Sequence, residues 1–445
     1  MSSESALRTA GDILALAKKR VPEAEVRVSV WDGWDANSRF ARNEPTTNGD
    51  VQEVQVEVTV AIGKRHASAE TNQTDELSIA GAIDHASRMA RLSPEDSEWL
   101  PLLGKQEIAA SPGAFDPEVA TWDATKRAAA IGAAVAGARA QGVVGAGFLE
   151  CGAHAWALMN SQGWSGVHQK TSVDLTMTAR TPDGTGSGWA AQSTHRAADI
   201  DAGALGRVAS DKGVRSAKPR PLEAGKYTVV LEPAAVADLM QFLVSSLDAR
   251  RADEGRSFFS KAGGATKLGE KLFPEAITLV SDPGSPETPG APFDEQGVPL
   301  RRVAWIDKGA VAAFSYSRFW ADKKGKAATG HHGTFHLRGG SATTADELLA
   351  GVKKGLLVTR FWYTRWLEPK AMSITGLTRD GVFLIEDGRV TGPVNNFRFN
   401  ESPANVLANC DAMTSATTRV PMGHIWRVPT LRTRDFTMAS VSAAV

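Results

Sequence analysis

Between residues 223 and 260 the chain must form a strand, stop, and form a helix. Few other foldings are open to it. Gly225-Lys226-Tyr227-Thr228-Val229-Val230-Leu231 is a β-rich run opened by glycine. Glu232-Pro233 ends it, because proline has no N–H for a ladder while its fixed φ suits the first turn of a helix. An apolar helix follows, and then a polar stretch that exits through Glu254-Gly255-Arg256-Ser257-Phe258-Phe259. The middle of the helix, Leu239-Met240-Gln241-Phe242-Leu243-Val244-Ser245, contains neither His nor Glu. A hydrolytic zinc site needs about three protein ligands, an open position and a carboxylate to take the proton of the bound water. The 239–245 stretch offers none of these groups.

The segment before it has its own pattern. Leu7, Ala10, Leu14 and Ala17 recur at helical spacing over residues 4–20. Val26, Val28 and Val30 alternate with polar residues, as do Val54, Val56, Val58, Val60 and Ile62, so both runs read as half-buried strands. Ile62-Gly63-Lys64 turns the chain into a strand at 65–70. Thr74 is expected to cap a helix running to about Arg91, with Asp75 and Glu76 in its first turn, where the dipole favours them. A Pro-rich loop is expected over 92–116 and a helix over 123–141. Strands follow at 143–151 and 154–160, a turn at Asn160-Ser161-Gln162-Gly163, and a strand at 167–179. A Gly-rich bend at 182–188 precedes a helix at about 198–213.

Lys218-Pro219-Arg220-Pro221 is the linker, since paired prolines stop both helix and central strand. Beyond it the chain is strand-rich. Asp307-Lys308-Gly309 and Glu386-Asp387-Gly388 are hairpin turns, and Thr344 with Glu347 is a capping box for a helix to about Lys354. The expected fold is therefore α+β. It has an N-terminal region of sheet plus helices, residues 1–216, and a strand-rich C-terminal domain, residues 222–445.

Fifty basic and fifty acidic residues balance, so nothing in the net charge points to nucleic acid or an acidic membrane surface. No apolar run approaches the roughly 20 residues that span a bilayer. The first residues lack the basic and apolar regions of a secretory signal. Two distant cysteines, Cys151 and Cys410, do not make a disulfide framework and fit a reducing cytoplasm.

The strand, Glu-Pro turn, ligand-free helix and Gly-x-Ser-Phe-Phe exit resemble the start of the C-terminal domain of the TldD/PmbA peptidase family, also called modulator of DNA gyrase. Ser38-Arg39-Phe40-Ala41-Arg42-Asn43 resembles that family's Arg-Phe-Ala-Asn element. Phe293-Asp-Glu-Gln-Gly297, Ala328-Thr329-Gly330-His331, Gly355-Leu-Leu-Val358, Ile374-Thr375-Gly376, Ile385-Glu-Asp-Gly388 and Pro393-Val394 follow in the family's order. The resemblance covers about residues 25–440. Its metal-bearing branch carries H-E-x-x-x-H on the helix and a later Cys, whereas this chain resembles the PmbA/TldE branch, which lacks the motif. The resemblance implies no metal in this chain and no catalytic residue of its own. It implies zinc or a similar metal in a TldD-like partner subunit, and a peptide as substrate. The isolated chain could form a homodimer. A metal-independent hydrolase and a non-catalytic peptide-binding protein are the two other readings.

Gly330-His331-His332-Gly333-Thr334-Phe335-His336 is the only histidine cluster in the sequence. His332 and His336 stand four apart, as in a helical metal pair, but Gly333 and β-branched Thr334 between them disfavour a helix. Metal binding, a substrate-contacting loop and structural histidines all remain open. By the resemblance, His331, His332 and His336 lie near the cleft, and so does the turn from Thr375 to Arg379. That turn is basic where relatives have an acidic-aromatic Thr-Gly-Asp-Tyr-Ser. Both segments are expected near the surface. Phe361-Trp362-Tyr363-Thr364-Arg365-Trp366 is either a partner-binding anchor or a core strand with one exposed face. Gly142-Val-Val-Gly145-Ala-Gly147 follows a helix and precedes a strand, the reverse of a dinucleotide fingerprint. Ser161 and Ser257 have no histidine beside them in sequence to form a triad.

Overall fold

A computed structural model describes residues 2–109, 111 and 113–443, so the extreme ends of both expected segments lie outside it. Through residue 215 the order is α1 (Ser3–Arg20), β1 (Glu25–Ala41), β2 (Glu44–Ile62), β3 (Arg65–Thr71), α2 (Glu76–Leu92), α3 (Ala124–Ala140), β4 (Val144–Asn160), β5 (Ser165–Arg180), β6 (Ser187–Thr194) and α4 (Ala202–Arg215). The six strands form one antiparallel sheet in the order β3-β2-β1-β4-β5-β6. Alternation decides its faces. Val26, Val28, Val30, Val56, Val58 and Val60 point to one side, where α1 and α2 cover them. Val173, Leu175 and Met177 point to the same side, beneath α3 and α4. The other face is polar and mixed.

β4 runs unbroken through the gap expected at 152–153. Gly152 lies in register between Asp35 and Ser172, and a Cβ there would stand 2.6 Å from Asp35 Oδ1. This glycine serves close packing and not a turn. The α2 cap is Asp75 instead of Thr74, its carboxylate accepting the Ser78 N–H at 3.0 Å. After Leu92, which ends α2, the described residues up to 116 form no helix or strand, as the prolines imply.

The rest of the chain contains β7 (Gly225–Leu231), α5 (Pro233–Ser245), α6 (Ala249–Asp253), β8 (Thr278–Ser281), β9 (Val303–Asp307), β10 (Ala310–Val311), α7 (Arg318–Lys324) and β11 (Thr334–Arg338). It continues with α8 (Ala345–Ala350), β12 (Lys354–Glu368), β13 (Ser373–Glu386), β14 (Arg389–Pro393), β15 (Asn396–Glu401), α9 (Pro403–Ala408), β16 (Cys410–Met413), β17 (Thr418–Met422), β18 (His424–Val428) and β19 (Leu431–Ser442). The fold is α+β, as expected. One sheet runs β12-β7-β19-β15-β13-β14, and an additional β12–β13 pairing closes five of its strands into a circuit. Another runs β10-β9-β8-β11-β18-β17, which leaves β17 at an edge.

The capping box forms: Glu347 donates its N–H to Thr344 Oγ1, and its carboxylate takes the Thr343 N–H at 3.3 Å. Its helix stops at Ala350, four residues early, because the chain must turn at Gly351 to enter β12. The segment expected as a turn at 375–379 is continuous β13. A register shift in β12 opposite it accommodates Asp380 at φ +56° and Gly381 at φ +120°.

α5 packs against β12 on one side and against β17 and β18 on the other. Val236, Leu239, Met240 and Leu243 are fully buried in that layer. Phe293 is one junction of the first sheet with the rest, its ring 4.6 Å from Trp156 and 4.9 Å, edge-on, from Trp164. Among the described residues no helix is long and apolar enough to cross a membrane.

Candidate functional site

The polar face of the first sheet does not meet open solvent everywhere. Loops at 283–295 and the β17–β18 hairpin stand over it and enclose a cleft of about 710 Å³. His168, Lys170, Ser172, Asp174 and Thr176 enter it from alternate positions of β5. Glu150 comes from β4 and Arg27 from β1, with Arg419 reaching across from β17.

Burial sets the electrostatics here. Glu150 and Asp174 are direct cross-strand partners, and like charges so placed repel. Burial first, then Asp174 and Asp35, push the Glu150 carboxyl above its ordinary range. Burial also raises Asp174, against the pull of a Ser193 hydrogen bond, Arg419 and Lys170. Lys170 is lowered by burial, and His168 falls to about 4 for the same reason, helped by Lys170. Arg419 Nε and Asp174 Oδ1 are both buried without a hydrogen-bond partner among the described residues. The cleft thus presents paired carboxylates and cations with unused bonding capacity.

His331 and His424 stand where this cleft opens into a second cavity, of about 470 Å³. Gln241, Phe242, Val244 and Ser245 of α5 form part of the second cavity's wall, with Trp305, His332, Phe335, Trp366 and Trp426 around them. This is the ligand-free helix read from the sequence, and it faces a cavity. The side chains it presents do not fit a catalytic metal. Gln241 Nε2 is engaged with its neighbour Asp238 at 3.0 Å, and Phe242 and Val244 have no donor atoms. Three histidines line the cavity, yet among the described residues no three His, Cys, Asp or Glu side chains converge as a metal site. Cys410 is buried, its S–H directed to the Ala412 carbonyl at 3.6 Å, and burial pushes its thiol up to about 12.

The sequence-derived residues separate. His331 is exposed and pairs with Glu295 at 3.4 Å, which raises its pKa. His332 is only 4% exposed, not at the surface as expected. Burial lowers it to about 4. Neither of its nitrogens makes a hydrogen bond among the described residues, although the nearby Thr329 carbonyl favours the protonated ring. His336 is also buried. It sits in β11, with Nε2 3.2 Å from Thr417 Oγ1, and lines neither cavity. Thr375 is buried too, its hydroxyl donating to the Phe399 carbonyl at 2.8 Å, which is the bond a strand interior requires. Arg379 lies over the Trp362 ring at 4.7 Å. Thr375 and Arg379 line neither cavity, so the structure does not bring them together with His331 and His332. The cleft groups of β5 and Arg419 escaped the sequence reading. Their one signal was a strand at 167–179 whose non-core face carries His168, Lys170 and Asp174.

The model of the PmbA/TldA metallopeptidase C-terminal domain matches residues 224–440. Through this segment the chain belongs to the TldD/PmbA family. A metalloprotease of Methanothermobacter thermautotrophicus is 23% identical over 282 residues, 58% of this chain and 60% of that one. The metalloprotease PmbA of Escherichia coli O157:H7 is 25% identical over 185 residues, 40% of this chain and 38% of that one. The matched stretches thus span less than two thirds of either relative. The crystal structure of TldE from Thermococcus kodakarensis superposes with a TM-score of 0.87 at 19% identity, covering 96% of this chain and 99% of that one. That likeness is one of fold. It extends over nearly the whole chain, beyond the matched C-terminal segment.

Proposed function

We propose that this chain is the non-metal subunit of a TldD/TldE-type metallopeptidase of the cytoplasm. A TldD-like subunit supplies the metal, and this chain holds an extended peptide for proteolysis or leader trimming. The observation that carries the reading is α5. It faces a built cavity beside a polar cleft, yet presents Gln241, Phe242 and Ser245 where hydrolysis would need ligands. β17 supports it as well. An edge strand lining the cleft can accept an extended peptide through main-chain bonds, which give affinity without much sequence demand. On this reading His331 and His332 contact the peptide, while His336, Thr375 and Arg379 act only through the strands that carry them.

The test is reconstitution. The purified chain is expected to hold no tight metal and to cleave no unfolded peptide, and to support chelator-sensitive cleavage once a TldD-type partner is added. About one equivalent of tightly held zinc, or no gain with the partner, overturns the reading. A second reading, a metal-independent hydrolase, is favoured by the Glu150–Asp174 pair, since two carboxyls with raised pKa values can divide acid and base roles. It requires chelator-insensitive cleavage by the chain alone that Asp174→Asn abolishes.

A further inference from the structure

The cavity against α5 is built from aromatic rings in contact. Phe242 meets Trp366 edge-on at 4.9 Å, Phe335 stacks on Trp426 at 4.8 Å, and Trp305 stands edge-on to His332 at 5.4 Å. Walls of this kind select a planar, largely apolar group. The same cavity holds three buried nitrogens without partners among the described residues: Nδ1 and Nε2 of His332 and Nε1 of Trp426. Their side chains are 4% and 0% exposed. Buried polar groups are normally bonded, so these three call for an explanation.

Their chemistry narrows the occupant. A neutral imidazole has one N–H and one acceptor nitrogen, and an indole has one N–H. The set therefore offers two donors and one acceptor. A carboxylate would enter without a fixed cation, because no Lys or Arg lines the cavity. An ammonium group would find only Asp248, whose Oδ1 already accepts the Arg251 N–H at 2.7 Å. It would also pass, at the mouth, His331, whose pKa the neighbouring Glu295 raises. A phenol oxygen accepts two hydrogen bonds and donates one, and its ring suits the walls. We propose that this cavity is a specificity pocket for the phenol side chain of a tyrosine residue in a peptide lying in the cleft. The inference rests on the peptide-holding reading above, but it is tested without partner or hydrolysis.

N-acetyl-tyrosinamide and N-acetyl-phenylalaninamide are titrated into the purified chain. Calorimetry and the fluorescence of Trp305, Trp366 and Trp426 report binding. The tyrosine amide is expected to bind with a Kd on the order of 1 mM or below. The phenylalanine amide should bind about tenfold more weakly, because without the hydroxyl the buried nitrogens stay unpaired. Ser245→Trp, at an exposed rim position of α5, should block both amides without lowering the melting temperature. His332→Phe should admit the two amides equally. Equal binding of the two amides by the parental chain overturns the inference. So does absence of binding at about 20 mM, or unchanged binding in Ser245→Trp. If the amide fails while the reconstituted pair still cleaves peptides, the pocket assignment falls alone. If the amide binds and the pair is inert, only the subunit reading falls.

Discussion

Arg419 Nη1 lies 3.2 Å from Nδ1 of His195, across the seam between the first sheet and the β17–β18 hairpin. The guanidinium has only donors, so Nδ1 must be the acceptor and the imidazole must be neutral there. Burial, and then Arg419 itself, lower the His195 pKa accordingly. Replacing the guanidinium by a neutral amide, Arg419→Gln, is expected to raise the His195 pKa, read by NMR titration of the ring protons. A pKa that stays put or falls would mean that the hairpin does not close on the sheet in solution.

His168 gives a second titration with the sign worked out. It is held near 4 in the fold instead of about 6.5. The folded ring is neutral, while the unfolded ring takes up a proton as pH falls through about 6.5, so its contribution favours unfolding from there down to about 4. At about pH 5 the loss is about 2 kcal/mol. His168→Gln should therefore lose about 2 kcal/mol less than the parental chain between about pH 7 and about pH 5, by urea denaturation. Glu150 and Asp174, raised by burial, act in the opposite direction, but they are common to both chains. Equal losses in the two chains would place His168 in solvent.

These two histidines mark where the sequence stopped being legible. Alternation gave β1, β2 and β5, and caps and turn residues gave α2, α8 and the hairpins at Lys308 and Asp387, because those signals are local. The α5 helix and its missing ligands were legible for the same reason. That α5 faces a cavity was not, since Trp305, His332, Phe335, Trp366 and Trp426 come from five separate elements or loops brought together by sheet order. Gly152 read as a break because a glycine that admits a neighbour's carboxylate looks, in sequence, like one that turns the chain. Thr375–Arg379 read as a turn because the bulge at Asp380 and Gly381 is set by the register of β12, which no local pattern records.

Asp380 is the buried anchor of that bulge. Its side chain is 0% exposed, accepting from Arg360 Nε at 2.7 Å and from the Ser187 hydroxyl of β6 at 2.5 Å. It thus ties the first sheet to β12 and β13. Asp380→Asn keeps the shape, and Asn tolerates the φ of +56°. The substitution strands the Arg360 charge, only 17% exposed, without its counter-ion. The expected loss is about 3 kcal/mol of unfolding free energy. A loss below about 1 kcal/mol would show that solvent screens the pair and that packing alone holds the seam.

The outer half of β12 carries the last prediction. Gly355–Val358 pair with β7, but from Arg360 to Glu368 the strand pairs, among the described residues, with β13 alone. Trp362, Tyr363 and Leu367 are exposed there, by 43%, 70% and 52%. Phe361 is buried, so the segment is a core strand at one end and an apolar open edge at the other. An unpaired edge with aromatic side chains is a template for another chain, and the subunit reading supplies one in the TldD-like partner. Tyr363→Asn with Leu367→Glu changes two exposed positions, and Asn suits the φ of +59° at 363. Stability of the isolated chain should change by less than about 1 kcal/mol. Association with the partner, followed by light scattering or sedimentation, should weaken at least about tenfold, because the introduced charge must be desolvated in the interface. Peptide cleavage by the mixture should fall in step. Association at parental strength would place the partner on another face and leave this edge to the isolated chain's own surface.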